Sequence, residues 1–332
     1  MWHHTGGQIE RCDECRFDAS AYTDQDVAGT LRDLTGWVGA TVRDIDADTL
    51  NCRPAPTVWS PAEYLRHTKR VLWSMALLAE TAIGTNGATL DGDPPADASA
   101  DDPVAHIDVV REVLRVREES MRLLDLWSAA TATVKASTLT LNGQTADVAG
   151  IVRHALHDAT HHVSDMGRGI AALGAGTPAQ TGSVASLQAS SGVPKHAIPT
   201  AEVGYRGVAT DRQETRKHHG RVWQALCIWS AEVVEEVARE GHPVSAGAAG
   251  ENITLAGVDW ATLRPGARLE FGEGGVLAET TDWAAPCNTI AHCFTDRHFR
   301  RIDAVQHPGS SRIYAKVLRD GTIRPGDPVT VS

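Results

Sequence analysis

The segment RHALHDATHHVSD, residues 153–165, carries four of the chain's fifteen histidines. Placed on a helix at about 100° per residue, the apolar residues within and around it form one stripe that faces a protein core. The members of this stripe are Val148, Ile151, Val152, Ala155, Ala159, Val163, Met166 and Ile170. The pattern therefore predicts an amphipathic helix, around which the first half of the chain is organised.

The same helical projection sorts the polar residues of this segment. His162 falls within the apolar stripe and Asp158 lies one turn earlier at its margin, whereas His154, His157 and His161 are predicted on the outer face. A buried histidine is most often a satisfied core residue. An aspartate and a histidine that are buried unpaired, however, each cost several kcal/mol, about 2–7 for a polar group and more for a charge. A bound divalent cation would satisfy both, so a core pair and a metal site are the two alternatives.

Three further helical patterns precede this segment. The first covers about Asp24–Asp44, the second runs from a capping box at Ser60 and Glu63 to about Ile83, and the third covers about Val104–Trp127. On the third helix the residues predicted to face inward are Val109, Val110, Val113, Leu114, Met121 and Leu124. Helices that each carry one apolar stripe predict an up-down four-helix bundle for residues 21–174. His67, on the second helix, can turn toward the bundle interior and provide the third ligand that a catalytic metal needs.

Residues 10–174 resemble the DinB-like superfamily of metal-binding four-helix bundles. The matching stretches are WSPAEYLRH at 59–67 and HDATHH at 157–162. The resemblance implies a divalent metal held by His67, Asp158 and His162, with zinc favoured and nickel or iron as alternatives. Branches of this superfamily include thiol S-transferases that use low-molecular-weight thiols and mycothiol-dependent maleylpyruvate isomerases. The isomerase branch is similar to this chain in having an acidic residue at the first position of the pair.

The N-terminal segment, residues 1–20, contains the C-x-x-C pair Cys12 and Cys15. Such a pair is half of a zinc site or a redox pair. His3 and His4 could complete a tetrahedral site, and otherwise the cysteines form a surface thiol pair. We therefore treat Cys12 and Cys15 as a candidate second metal site.

The second half of the chain changes character after a linker at residues 175–182, which is rich in Gly, Ala and Thr. Short β-rich runs separated by Gly and Pro turns follow over residues 183–332, interrupted by one helix at Ala231–Arg239. The predicted strands are Ser183–Leu187, Val222–Ser230, Ile253–Leu255, Ala267–Phe271, Val276–Thr280, Ile313–Val317 and Pro328–Val331. This pattern predicts a barrel or a sandwich, so the chain as a whole is expected to be a multidomain α plus β protein.

Residues 183–332 resemble a MOSC domain, the β-barrel module found at the end of molybdenum-cofactor sulfurases and in amidoxime-reducing proteins. The matching stretches are KHHG at 217–220, QALCIWS at 224–230, GAAGENIT at 247–254, PC at 286–287 and RPGDPV at 324–329. The resemblance implies a site for molybdenum cofactor or a related sulfur-bearing ligand, with Cys287 as metal or persulfide ligand. Without the motif, a lone cysteine is usually a small buried hydrophobic residue.

A reactive thiolate or an anionic pterin phosphate at Cys287 requires cationic side chains or backbone N–H groups nearby. If they bind no ligand, His218 and His219 are expected to lie in a solvent-exposed turn. The cofactor-binding candidates are Lys195, Lys217, His218, His219, Arg221, Glu251, Asn252 and Lys316.

Composition limits the partners and the location. The chain has 332 residues, 42% hydrophobic and 22% charged, which is enough for two globular domains. The formal charge of −11 argues against nucleic acid as a partner. No apolar run approaches the roughly 18–20 residues that span a bilayer, and the N-terminus lacks the features of a signal peptide. We therefore expect a cytoplasmic protein without a membrane partner, and the six scattered cysteines form no disulfide framework.

Three functional hypotheses follow. The first is a transferase acting on thiol or sulfur groups, with a low-molecular-weight thiol or sulfur-bearing small molecule as partner. The second is a protein that binds and delivers molybdenum cofactor, with a bundle that is not catalytic. The third is an inert scaffold that binds neither metal nor cofactor.

Overall fold

The computed structural model of the chain describes residues 10–92, 106–212, 219–272 and 275–332. The chain divides into two compact units, one from Met1 to Ala175 and one from Gly176 to Ser332. The first unit is helical and the second is mostly β, which confirms the predicted multidomain α plus β fold class. Among the described residues, no helix is both long enough and apolar enough to cross a membrane.

Four long helices dominate the first unit. α1 packs on α4 and α6, and α3 packs on the same two helices. The helices are α1 (Asp24–Val42), α2 (Ala47–Asn51), α3 (Pro61–Gly84), α4 (Val109–Ala129), α5 (Ala132–Lys135) and α6 (Val148–Ala172). The short strands are β1 (Arg11–Cys12), β2 (Phe17–Asp18), β3 (Ala88–Leu90), β4 (Thr138–Leu141) and β5 (Gln144–Asp147). The predicted four-helix bundle is confirmed, and the histidine-rich segment lies on α6.

The start of α3 is set by its capping box. Ser60 Oγ accepts a hydrogen bond from the Glu63 backbone N–H at 3.2 Å, and Glu63 Oε2 accepts one from the Ser60 N–H at 2.8 Å. Pro61 occupies the first helical turn, where its missing N–H costs nothing. This start places His67 on the second turn of α3.

The buried face of α4 differs from the prediction. Val110 is 72% exposed and Leu114 is 60% exposed, whereas Glu112 and Glu119 are buried. Each of these glutamates pairs with an arginine three residues further along the helix. The prediction was wrong because the inner face combines the apolar Val116, Leu123 and Trp127 with these two paired glutamates, so the apolar residues alone did not define it.

Seven strands of the second unit close into a barrel in the order β11, β10, β14, β13, β12, β16 and β6, with β6 pairing back onto β11. Only β10 and β11 run parallel within this described ring. The strands are β6 (Gln180–Ala189), β7 (His196–Ala197), β8 (Ala201–Gly204), β9 (Gly207–Val208), β10 (Leu226–Ser230), β11 (Ile253–Ala256), β12 (Arg268–Phe271), β13 (Val276–Trp283), β14 (Ile313–Arg319), β15 (Gly321–Ile323) and β16 (Pro328–Val331). The predicted helix is α7 (Ala231–Arg239). The predicted barrel is confirmed.

Two boundaries of the barrel differ from the sequence prediction. β6 begins at Gln180, inside the expected linker, because residues 180–183 pair with β16. The run expected as a strand from Val222 starts as a 3-10 helix, Val222–Gln224, and becomes extended only at Leu226.

Candidate metal centre and ligand cavity

The neighbouring helices α3 and α6 bring three predicted side chains together. His67 Nε2 lies 3.7 Å from Asp158 Oδ1, and His162 Nε2 lies 3.6 Å from the same oxygen. One ligand atom from each residue lies within 4.8 Å of the other two. The pair on α6 is spaced i, i+4, so both side chains emerge on one face and meet the side chain from α3.

The side chain of Asp158 indicates whether this cluster can bind a metal ion. Its Oδ1 is buried and has no hydrogen-bond partner in the described part of the chain. Burial raises the pKa of Asp158, yet the neighbouring His67 and His162 hold it below its usual value. A buried, ionised oxygen without a hydrogen bond is costly unless a cation satisfies it. Two imidazoles and one carboxylate are also a donor set found in catalytic zinc centres, so the residues fit a divalent cation.

A second carboxylate orients one of the imidazoles. His162 Nδ1 lies 2.7 Å from Asp165 Oδ2, and Arg168 donates to the other oxygen of Asp165. A hydrogen bond at Nδ1 leaves Nε2 as the free lone pair that faces Asp158. Sequence reasoning missed Asp165, although its position three residues after His162 was the available signal.

Aromatic rings flank the cluster. Trp59 lies over His67 with ring centroids 5.0 Å apart, and Tyr64 lies 5.1 Å from the His162 ring. Trp59 is 38% exposed and the His67 side chain is 30% exposed. The centre is therefore open to solvent beside Trp59.

The remaining histidines of α6 are not on an outer face, which corrects the prediction. His154 Nδ1 lies 3.0 Å from Glu10 Oε1, and His157 Nδ1 hydrogen-bonds the same oxygen. His161 Nδ1 lies 3.7 Å from Cys12 Sγ. The β1–β2 hairpin covers this side of α6, so the helix is buried on two faces, and a projection with one apolar stripe detects only one of them.

The predicted pair Cys12 and Cys15 joins His157 and His161 in one cluster of potential metal ligands. Burial lowers the pKa of His157, but the proximity of Cys15 and Glu10 outweighs this effect and raises that pKa to about 11. Burial raises the pKa of Glu10, but its hydrogen bonds with His154 and His157 outweigh this effect and lower that pKa to about 2. His3 and His4, the partners first considered for the cysteines, lie outside the described residues.

In the second unit, Cys287 lies on the wall of a cavity of about 450 Å³. Of the predicted cofactor-binding residues, Lys195 and His219 also line this cavity. Lys195 Nζ is 2.5 Å from Asp211 Oδ2, and His219 Nδ1 is 2.9 Å from the Tyr314 hydroxyl. Lys217 and His218 lie outside the described residues.

Four other predicted residues are buried but are not among those that line this cavity. Their side chains bind other parts of the protein. Glu251 accepts a hydrogen bond from the Gly247 N–H at 2.5 Å, and the Asn252 side chain accepts one from the Cys227 N–H at 3.2 Å. The two positively charged residues, Arg221 and Lys316, also have side-chain partners. Arg221 donates to Gln224 at 2.9 Å, and Lys316 pairs with Glu279 at 3.0 Å.

Sequence reasoning missed another cation that lines the same cavity as Cys287. Arg312 lines the cavity and is only 7% exposed. Its Nη1 donates to the Ala249 carbonyl, whereas its buried Nε has no hydrogen-bond partner among the described residues. An unsatisfied buried guanidinium N–H suits an anionic group, so the residues present fit an anionic ligand. Arg312 directly precedes β14, and no sequence motif at this position indicates a role in ligand binding.

Each of the two units contains a stretch that matches the model of a known protein family. Residues 37–166 match the model of the DinB superfamily, and residues 215–330 match that of the MOSC domain. No curated protein matches the chain.

Solved structures resemble each half separately. YfiT from Bacillus subtilis, described as a probable metal-dependent hydrolase with an unusual four-helix bundle topology, is 10% identical, with 46% of this chain and 87% of that chain covered and a TM-score of 0.41. The YuaD protein from Bacillus subtilis is 18% identical, with coverage of 46% and 97% and a TM-score of 0.37. YiiM from Geobacillus stearothermophilus is 24% identical, with coverage of 47% and 75% and a TM-score of 0.34.

Proposed function

Because this chain joins a DinB superfamily bundle to a MOSC domain, we propose that it is a metal-dependent enzyme that transfers thiol or sulfur groups. His67, Asp158 and His162 would hold the divalent cation, with zinc favoured over nickel or iron. The observation that carries the proposal is the buried Asp158 Oδ1, which lacks a hydrogen-bond partner among the described residues and lies within 3.7 Å of two imidazole nitrogens. The substrates would be a low-molecular-weight thiol or sulfur-bearing small molecule and an electrophile.

A cation at this centre would supply Lewis acidity, which lowers the pKa of a thiol or polarises an electrophile. With three protein ligands, a coordination position stays open for a substrate. Asp165 keeps His162 Nε2 directed at the centre through its 2.7 Å contact with Nδ1. Trp59 and Tyr64 provide ring faces beside the imidazoles, against which the apolar part of a substrate can pack.

The barrel would bind a sulfur-bearing or molybdenum-cofactor-like ligand through Cys287. Its cavity of about 450 Å³ falls within the range of small-molecule sites. Lys195 is neutralised by Asp211, so we assign the anionic group of the ligand to Arg312, whose Nε lacks a partner among the described residues. Cys287 is half-buried on the same wall, where its sulfur can reach the ligand.

A second candidate function is that of a molybdenum-cofactor carrier with a non-catalytic bundle. It is favoured by one observation: the described residues that line the cavity all belong to the second unit. The thiol of Cys287 and the guanidinium of Arg312, which would bind the cofactor, therefore both come from the barrel.

The test begins with natively purified full-length protein. Bound metals are quantified by elemental analysis, extracted small molecules are identified by mass spectrometry, and turnover is measured with N-acetylcysteine and monochlorobimane as probe thiol and electrophile. We expect His162→Ala to lose the bundle metal and the thiol-dependent turnover together. His106→Ala, which changes an exposed histidine of the same unit, is the matched control and should keep both.

Two results would contradict the enzyme. Turnover that persists in His162→Ala after the metal is lost would show that the centre is not catalytic. A bound pterin in protein that shows no thiol-dependent turnover would support the carrier instead.

A further inference from the structure

Four side chains from two distant parts of the chain converge on the face of α6 next to the one that carries Asp158 and His162. Cys12 and Cys15 come from the β1–β2 hairpin, and His157 and His161 come from α6. One ligand atom from each lies within 4.8 Å of the other three. The spacings, C-x-x-C and H-x-x-x-H, are those of two-cysteine, two-histidine zinc sites.

The separation between sulfur and nitrogen matches zinc geometry. With Zn–S of about 2.3 Å and Zn–N of about 2.05 Å, two ligands of a tetrahedral site lie about 3.6 Å apart. Cys12 Sγ and His161 Nδ1 are 3.7 Å apart. This pair is therefore already spaced as if it shared a cation.

The hairpin turn is shaped to present its sulfur atoms. The turn between β1 and β2 brings Cys12, which is half-buried, and the buried Cys15 into one cluster with the two histidines. The residue after the second cysteine, Arg16, has φ +61°, a left-handed conformation that residues other than glycine rarely adopt. Such a backbone persists where surrounding contacts or a ligand require it.

His157 is arranged as a metal ligand with a carboxylate behind it. Its Nδ1 hydrogen-bonds Glu10 Oε1, whereas its Nε2 is buried and lacks a hydrogen-bond partner in the described chain. Phe17 stacks on the ring with centroids 4.7 Å apart and an interplanar angle of 17°, which fixes its orientation. A zinc-bound histidine usually has a carboxylate on one ring nitrogen while the other nitrogen is directed at the metal, and His157 has this arrangement.

We infer that Cys12, Cys15, His157 and His161 bind one zinc ion in a closed, four-coordinate structural site. The ion would tie the N-terminal hairpin to α6 across 149 residues of sequence, the separation between Cys12 and His161. A redox pair is disfavoured because two imidazoles complete the cluster and because the buried Cys15 is not accessible to the thiol of another molecule. With four protein ligands the site leaves no position for substrate, which distinguishes it from the three-ligand His67 centre.

Cobalt substitution tests this site separately from the His67 centre. Thiolate ligands give cobalt(II) a sulfur-to-metal charge-transfer band, which a centre of two histidines and one aspartate does not produce. Full-length protein is stripped with chelator and reloaded with cobalt(II) alone. We expect the band in the unaltered protein and a weaker band, with less bound metal, in Cys12→Ser, where Cys15 is the thiolate left in the cluster.

Two control variants separate the sites. His67→Ala should keep the band, and Cys52→Ser, which changes an exposed cysteine of the same unit, should alter neither band nor metal content. If the His67 centre binds no metal, the charge-transfer band from the cysteine cluster is therefore still expected.

A further variant guards against misfolding of Cys12→Ser. His161→Cys keeps four ligands and adds a third thiolate, so the charge-transfer absorbance should increase. The proposal is overturned if the unaltered protein lacks the band, if Cys12→Ser keeps it at full strength, if His161→Cys fails to strengthen it, or if the native protein carries a Cys12–Cys15 disulfide.

Discussion

His162 Nδ1 lies 2.7 Å from Asp165 Oδ2, and the same oxygen lies 3.6 Å from His161 Nε2. One carboxylate therefore stands between two adjacent histidines of α6 that face different clusters. Successive residues of a helix point about 100° apart, so the pair 157 and 161 and the pair 158 and 162 occupy neighbouring faces. His157 and His161 face the β1–β2 hairpin, whereas Asp158 and His162 face α3.

Asp165→Asn should weaken metal binding at the His67 centre by about 10–100-fold, because the amide no longer provides the charge that orients His162 and raises its basicity. Affinity is measured by competition with a chromophoric chelator. Asp125→Asn, which changes an exposed aspartate on α4, is the control and should leave affinity unchanged. Equal affinities in Asp165→Asn and the unaltered protein would show that this contact does not tune the centre.

The buried carboxyl of Glu251 predicts a pH dependence of barrel stability. Burial raises its pKa above the ordinary value of 4.5. A carboxyl whose folded pKa is raised contributes stability below its unfolded pKa, and this contribution is lost as pH rises through the folded pKa. The contribution of Glu251 to the thermal stability of the barrel should therefore fall as the pH rises from 4.5, the ordinary value, through the folded pKa of this carboxyl.

Glu251→Gln should flatten this slope, because the amide has no proton to lose while its oxygen can still accept from the Gly247 N–H. Differential scanning calorimetry across this pH window measures the effect. Glu235→Gln, at an exposed position on α7, should keep the slope of the unaltered protein. An identical slope in Glu251→Gln would show that another group is responsible.

The barrel cysteines should differ in reactivity. Burial raises the pKa of Cys227 and of Cys293 from 9.0 to about 11, which reduces their thiolate fraction about 100-fold. Cys287 is half-buried on the cavity wall. Iodoacetamide followed by peptide mass spectrometry should modify Cys287 first, with the exposed Cys52 as a reference thiol. Modification of Cys227 at the rate of Cys287 would contradict this order.

Ser60→Ala should lower the free energy of unfolding by about 1 kcal/mol, because it removes the side chain that caps α3. Urea unfolding followed by circular dichroism gives the difference. Ser128→Ala, at an exposed position of α4, should change stability little. Since α3 carries His67, weaker metal binding in Ser60→Ala would link this cap to the centre.

The main elements of the fold and one cluster were predictable from local patterns. The capping box at Ser60 marks the start of α3, and the helical period of residues 148–170 selects Asp158 and His162 as an inward pair. Their convergence with His67 follows once two helices pack side by side, since a bundle offers few ways to bury two stripes. The assignment of these three residues as metal ligands remains a prediction.

Other features required the tertiary structure. Glu112 and Glu119 occupy the inner face of α4 because arginines neutralise them, which an apolar pattern does not register. Arg312 reaches the cavity of Cys287 from a position without a motif.

The clearest division lies within α6 itself. Periodicity identifies a helix face that packs on apolar neighbours, because burial of apolar surface leaves a repeating signal in the sequence. His157 and His161 face a hairpin that offers Cys12, Cys15 and Glu10, and polar groups that satisfy one another leave no such signal. The sequence alone determined that α6 carries one inward pair. Only the folded chain, which brings together residues 149 positions apart, decided that α6 carries two.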